Sequence, residues 1–344
     1  MPLDVISYLL AEGKASWSDV KSNLKSEGAY NLLSKSVATI VVAASNSKNK
    51  EKADYVCDGT ADEEEINAAI NALPSSGGTV LLLEGTYNVA SPITILSSNV
   101  VLAGVGHATK LFLTNGANCH VVEVGDGSSP ISNCVVRDLQ VDGNKDNQTS
   151  TMKGIYLHGE PGAKVTNSAV INCYVHDCYK YGIYVYLADY CKIVNNICEN
   201  TVLWGIHTSN SRYDEIIGNL CNSCGSGIGV ASSGNLVVGN ICYSCSPYYG
   251  LGILGAYDCV VVGNIVQGSG SDGINLYNAY RCVVVGNKSR DNGGYGINIS
   301  NSGCNQNLIG KNHLTGNTAG SLNDAGTDTV IGVYDTANNN DNVV

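Results

Sequence analysis

Arginine, phenylalanine, tryptophan and proline are the scarce residues of this chain, which has 4 Arg, 1 Phe, 2 Trp and 6 Pro among 344 residues. Each scarcity excludes something. So little proline beside 40 Gly is neither collagen-like nor a Pro-rich disordered composition. Charged residues make up only 14%, too few for a helix bundle or an acidic tail, while 44% hydrophobic residues suffice for a core. The formal net charge is −11 and no basic face is written, so nucleic acid is excluded as a partner. No apolar run approaches the roughly 18 residues of a membrane span, so a membrane is not an expected partner; the longest near-uninterrupted run is Val37 to Ala44. Met1-Pro2-Leu3-Asp4 lacks the basic start and apolar stretch of a signal peptide, which points to a cytosol-made product.

Tyrosine (20) and cysteine (14) are plentiful. The length is wrong for a small disulfide scaffold, and the C-x-x-C spacings at Cys221/Cys224 and Cys242/Cys245 raise zinc or redox chemistry instead. An internal repeat decides between these readings. Gly-Ile/Leu-x-aliphatic recurs about every 23 residues, at Gly182, Gly205, Gly227, Gly250, Gly273 and Gly296, after a longer step from Gly154. A second motif keeps the same period: Val194-Asn195-Asn196, Ile217-Gly218-Asn219, Val238-Gly239-Asn240, Val262-Gly263-Asn264 and Val285-Gly286-Asn287. Within each unit, short segments alternate with period two, as strands do. Such short strands are best satisfied by one solenoid coil per repeat, stacked in parallel at about 4.8 Å. The five Asn would then form a ladder at one turn. Cys198, Cys221 and Cys242 share a register with Val175 and Val266, which makes them interior small hydrophobes rather than metal ligands. Bridges between stacked coils compete with this, and reduced thiols are the expectation.

Residues 37–113 prepare the solenoid. Thr60-Ala61-Asp62-Glu63 has the capping-box pattern, and Ile66, Ala69, Ile70 and Leu73 form one stripe of a helix over 61–73, expected to cap the open solenoid end. Asp58-Gly59-Thr60, that helix, Gly77-Gly78-Thr79-Val80 and Gly85-Thr86-Tyr87 resemble the opening segment of the pectate-lyase-like superfamily, which includes polygalacturonases and phage tailspikes. Asn133 to Gly143 is similar to its early coils. The resemblance covers roughly residues 37–315 and implies an all-β, single-stranded right-handed parallel β-helix. The division expected is a helical appendage over 1–36, the β-helix over 37–335, and a polar tail over 336–344.

In a solenoid, function is read on outward positions. Around the Gly-Ile-x-aliphatic strands these present Tyr156, Tyr181, Tyr184, Tyr186 and Trp204, with His158 and His207 among them and Lys180 just before. Tyrosines with polar tips suit sugar rings, and these residues are the expected substrate-binding set. The competing reading is that outward tyrosines only add strand propensity and cross-coil packing. Asp177 and Glu199 lie one coil apart near one corner, an expected acid and base pair for glycosidic cleavage with His207. Asp138 and Asp142 are the rival carboxylates.

The superfamily's activity motifs do not transfer. The Asn-Thr-Asp, Asp-Asp, Gly-His-Gly and Arg-Ile-Lys of polygalacturonases are absent, Arg137, Arg212, Arg281 and Arg290 do not cluster, and no Asp-Pro-His occurs. A −11 chain repels polyuronates unless calcium bridges them, so a neutral surface polysaccharide is expected and no cofactor otherwise. The functional expectation is a tailspike-like glycosidase, favoured over a polysaccharide lyase. A non-catalytic structural or adhesive virion or cell-surface protein is the alternative. Assembly would be a homotrimer, or docking of residues 1–36 to a larger body such as a virion.

Overall fold

Alternation of small and aliphatic residues builds a parallel β-solenoid, as the computed structural model shows for residues 39–150 and 152–332. The appendage expected over 1–36 and the tail over 336–344 lie outside the described residues. Successive coils contribute strands to three parallel sheets of thirteen, ten and thirteen strands, here called sheets I, II and III, the last made of a run of ten with three short strands branching from it. In one complete coil, Lys192–Val194 belongs to sheet I, Ile197–Glu199 to sheet II and Trp204–Arg212 to sheet III. Pairing is in register, so like positions stack into columns along the axis: Ile193, Ile216, Val237, Val261 and Val284 run up the inside of sheet I, all fully buried.

The repeat motifs have direct physical causes. At the corner between sheets I and II, Asn195, Gly218, Gly239, Gly263 and Gly286 take φ of 56 to 66°, a left-handed turn open to Gly and Asn. The next residue points inward and is the ladder Asn. Asn196 accepts the Cys173 N–H, and Asn219, Asn240, Asn264, Asn287 and then Asn312 each accept both the N–H and the side-chain NH2 of the preceding rung. The glycine opening each sheet III strand faces the cysteine column of sheet II across the core. A Cβ at Gly205 would sit 2.8 Å from Cys221 Sγ, and one at Gly227 would sit 2.6 Å from Cys242 Sγ. Glycine and cysteine are therefore complementary choices. All fourteen cysteines are free and thirteen are buried. Burial raises the Cys198, Cys224 and Cys245 thiols, so they behave as small apolar side chains.

A second set of rungs precedes sheet I. Cys134 N–H donates to Ser168 Oγ, Cys191 N–H to Asp214 Oδ1, Asp214 N–H to Asn235 Oδ1 and Cys282 N–H to Asn307 Oδ1.

Helix α1, Glu63–Asn71, is shorter than the span 61–73 and packs Ile66, Ala69 and Ile70 into the first coils. The capping box does not form. Asp62 is the N-cap residue, but its carboxylate receives the N–H of Gly59 and of Asn88, and Glu63 receives that of Ala90. The acids tie the helix to neighbouring coils rather than closing its own first turn. The last described strand, Val330–Ile331, belongs to sheet I.

Candidate functional site

Sheet III carries the densest outward chemistry. Its central outward column runs Glu123, Tyr156, Tyr184, His207, Gly229 and Gly252, in register through five coil steps. Three residues earlier stand Lys153, Tyr181 and Trp204, and two later His158, Tyr186 and Ser209. The rings lie against one another along the axis: Tyr156 to Tyr184 at 5.2 Å, Tyr184 to Tyr181 at 4.7 Å, and Tyr184 to His207 at 5.4 Å between centroids. Tyr156 also stacks on His158 at 4.5 Å, and Tyr186 lies 5.9 Å from Tyr184.

This geometry corrects one expectation. A platform for sugar rings needs free ring faces, and here the faces are largely taken up by neighbouring rings. Tyr156 and Trp204 are only 6% and 7% exposed. Trp204 lies over a glycine floor, where a Cβ at Gly229 would be 2.9 Å, and one at Gly252 3.0 Å, from its ring carbons. What reaches solvent is a surface of ring edges and hydroxyls.

Two lysines sit on that surface. Lys153 Nζ lies 4.1 Å from the Tyr156 ring centre and 5.5 Å from that of Tyr184, and Lys180 Nζ lies 4.9 Å from that of Tyr181. Neither meets a carboxylate in an ion pair among the described residues. Partial burial, and then the neighbouring Lys180 charge, lower the Lys153 pKa. Burial and the nearby cations likewise hold His120 and His207 neutral, with pKa values pushed down to about 4. Lys153 Nζ is 3.3 Å from His120 Nε2. The His207 Nδ1 is buried without a partner, leaving Nε2 as the solvent-side nitrogen. At the edge, His158 bridges Glu123 at 2.8 Å and Glu160 at 3.4 Å.

Asp177 and Glu199 are elsewhere. They belong to sheet II, whose outward column runs Asp142, His176, Glu199 and Asn222. Glu199 accepts from the Tyr174 hydroxyl at 2.6 Å and from Asn222 at 2.7 Å. Asp177, in the turn after this strand, holds His176 Nδ1 at 2.7 Å and accepts from Asn200. Asp142 pairs with Lys110 at 2.6 Å. The expected acid and base are thus neighbours of each other but do not share the face of His207 and the tyrosines. The rival Asp138 is bound to Arg137 in an exposed turn.

Glu123, His120, Lys153 and Glu160 were not among the expected site residues. The coil of Val122–Val124 lacks the Gly-Ile signature, and only the alternation Val122-Glu123-Val124 signals that Glu123 points outward.

The family description "Right handed beta helix region" matches residues 205–340, and that of the periplasmic copper-binding protein NosD matches 132–244. The chain is a right-handed parallel β-helix. Solved β-helices agree at the level of fold. ORF18 of Geobacillus virus E2 is 18% identical with a TM-score of 0.67, over 93% of this chain; the present β-helix spans 65% of the viral protein's length. The DFA-IIIase of Arthrobacter chlorophenolicus A6, solved with DFA-III, gives 14% and 0.63 over 85% of this chain and 84% of the enzyme. The A-module of the mannuronan C-5 epimerase AlgE4 of Azotobacter vinelandii gives 20% and 0.53 over 80% and 92%. No curated protein matches the sequence.

Copper does not fit the β-helix. In the NosD-like span, Asp142, His176 and Asp177 bring ligand atoms within 4.8 Å of one another. Both His176 nitrogens are already engaged, by Asp177 and by Gln140, and Lys110 holds Asp142. The thiols are sealed in the core.

Proposed function

We propose that this β-helix binds an acidic polysaccharide across sheet III and cleaves it there by β-elimination. The observation that carries this reading is the pair Lys153 and Lys180, two cations without carboxylate partners among the described residues, with the Lys180 charge felt both by Lys153 and by the neutral His207. Two partly desolvated ammonium groups suit a uronate carboxylate and offset the repulsion expected from the −11 net charge. In this reading the lysines take the place of a bridging calcium. Neutralising the carboxylate acidifies the neighbouring C5–H. His207 Nε2 takes that proton, the C4–O bond to the leaving sugar breaks, and a C4–C5 double bond forms. The leaving oxygen takes its proton from Tyr184, whose hydroxyl stays protonated because burial pushes its pKa up to about 12. The edges and hydroxyls of Tyr156, Tyr181, Tyr186 and Trp204, with His158, would line the path of the chain. Association with a virion belongs to the same proposal, supported by the fold shared with ORF18 and with a tailspike of Escherichia coli O157:H7 bacteriophage CAB120 (TM-score 0.54).

A second reading is favoured by the Asp142, His176 and Glu199 column: hydrolysis on sheet II, with Asp177 and Glu199 as acid and base. One assay separates the two. A polysaccharide panel is incubated with the protein and followed for unsaturated-uronate absorbance and for reducing ends. Elimination predicts absorbance, a kcat reduced about 100-fold in His207→Gln, and a KM raised about 10-fold or more in Lys180→Met. Reducing ends without absorbance, abolished by Glu199→Gln, would establish hydrolysis instead. Neither product, and no retention of any glycan, would leave the structural or adhesive role.

A further inference from the structure

The outward face of sheet I is apolar over its C-terminal half. One column reads Leu236, Val260, Val283, Leu308 and Val330, and the other Val194, Ile217, Val238, Val262 and Val285. Around the corner, sheet II continues with Ile197, Leu220, Ile241 and Ile265. The corner itself raises no obstacle, because Gly239 and Gly263 have open space where a side chain would project. Every one of these aliphatics is partly or well exposed, up to 60% at Val330. Charge returns at the margins, at the Lys192–Glu215 and Asp258–Arg281 pairs, at Lys288 and at the corner residue Lys311.

We propose that this face is where a second copy of the chain packs, sheet I against sheet I. Area is the first argument. The ten sheet I side chains expose on the order of 500 Å² per copy, about 1,000 Å² for the pair, which is the size a specific interface needs. A continuous apolar surface of that kind, with charge only along its margins, is unusual on a monomer. Pitch is the second argument. The side-chain ridges repeat once per coil, about 4.8 Å apart, and a partner whose grooves keep that spacing along the whole face is another sheet of the same coils. Sequence supplies the third. Residues 333–344 follow directly from this sheet's last strand, and they are mostly Asn, Asp and Thr, unsuited to covering aliphatics. The pairing uses none of the sheet III residues, so a dimer would carry two glycan sites and hold a polymeric ligand more tightly than one copy.

The test is the solution mass of the full chain by light scattering across a dilution series, with Val238→Lys/Val262→Lys as the variant. A species of twice 35.9 kDa is expected for the wild type. The variant should run as a monomer with a circular-dichroism spectrum and core melting like those of a dilute wild-type monomer, because both substitutions point outward. A photoreactive residue at Val260 should crosslink to sheet I of a second copy. A wild type that is monomeric at all concentrations overturns the proposal, as does an oligomer unmoved by the lysines or one larger than two. Crosslinks confined to residues 1–38 overturn it as well, by showing that the chain covers its own face.

Discussion

Asp214 is a carboxyl on a rung where the next coil carries the amide of Asn235. It is fully buried, and its Oδ1 receives the Cys191 N–H at 2.8 Å. Asn235 also donates its side-chain NH2 to Ser232 Oγ at 2.5 Å, three residues upstream. The equivalent pair in the Asp214 coil, Asp214 Oδ2 and Ser211 Oγ, is left without partners. Burial pushes the Asp214 carboxyl up to about 8, against the Cys191 N–H, which favours the charged form. The folded protein therefore holds a proton that the unfolded chain has released. Stability from this group is intact below about pH 4 and is lost as pH rises to about 8, at roughly 1.4 kcal/mol per pH unit. Asp214→Asn restores the amide pattern of the neighbouring rung. It should melt above wild type at pH 8, with the gap closing near pH 4. His120 and His207 act in the opposite direction, losing stability as pH falls from 6.5 towards 4, so only the paired melts isolate Asp214. A gap independent of pH would mean that this carboxyl does not titrate in the folded state.

At the scale of elements, the Asn ladder is the feature most dependent on one side chain per coil. Asn240 accepts from the N–H and the side chain of Asn219, and donates to Ile216 O and Asn264 Oδ1, all between 2.8 and 2.9 Å. Asn240→Ala strands these groups in a dry corner and should cost about 3–5 kcal/mol in urea denaturation. Gly239→Asn, which reproduces the pair Asn195-Asn196, should cost less than about 1 kcal/mol. Equal losses in the two variants would show that the ladder amide has no special role. This ladder was legible in the sequence because a buried amide and its left-handed neighbour recur with the coil period. So were the cysteine column and helix α1. The role of Asp62 was not, because its partner Asn88 lies 26 residues away and the local pattern suggests a capping box. Nor was the burial of Trp204, which depends on a side chain reaching across Gly229 and Gly252 in the next two coils. Asp177 and Glu199 were placed correctly relative to each other. The corner between sheets II and III, which separates them from His207, had to be seen in three dimensions.

For the whole molecule, strands inside the run of each sheet pair with their counterparts in the coils before and after them. Such a chain behaves as a one-dimensional stack, in which each unit is stabilised by its two neighbours. In-register pairing has a further consequence. Residues Asn264 to Gly286 form one whole period, 23 residues from rung to rung. Removing them joins Gly263 to Asn287 with the sequence Val-Gly-Asn unbroken. This deletion should yield a folded protein about 4.8 Å shorter that keeps whatever activity sheet III carries. Deleting only Asn264 to Asn275 puts every later strand out of phase and should give insoluble chain. Small-angle scattering and circular dichroism on both would distinguish them, and collapse of the whole-period deletion would show coupling beyond adjacent coils. The molecule is then a ruler graduated in coils. The distance from the tyrosine and histidine surface of sheet III to the C-terminal end can be set in fixed steps, by counting periods, without altering a residue of that surface.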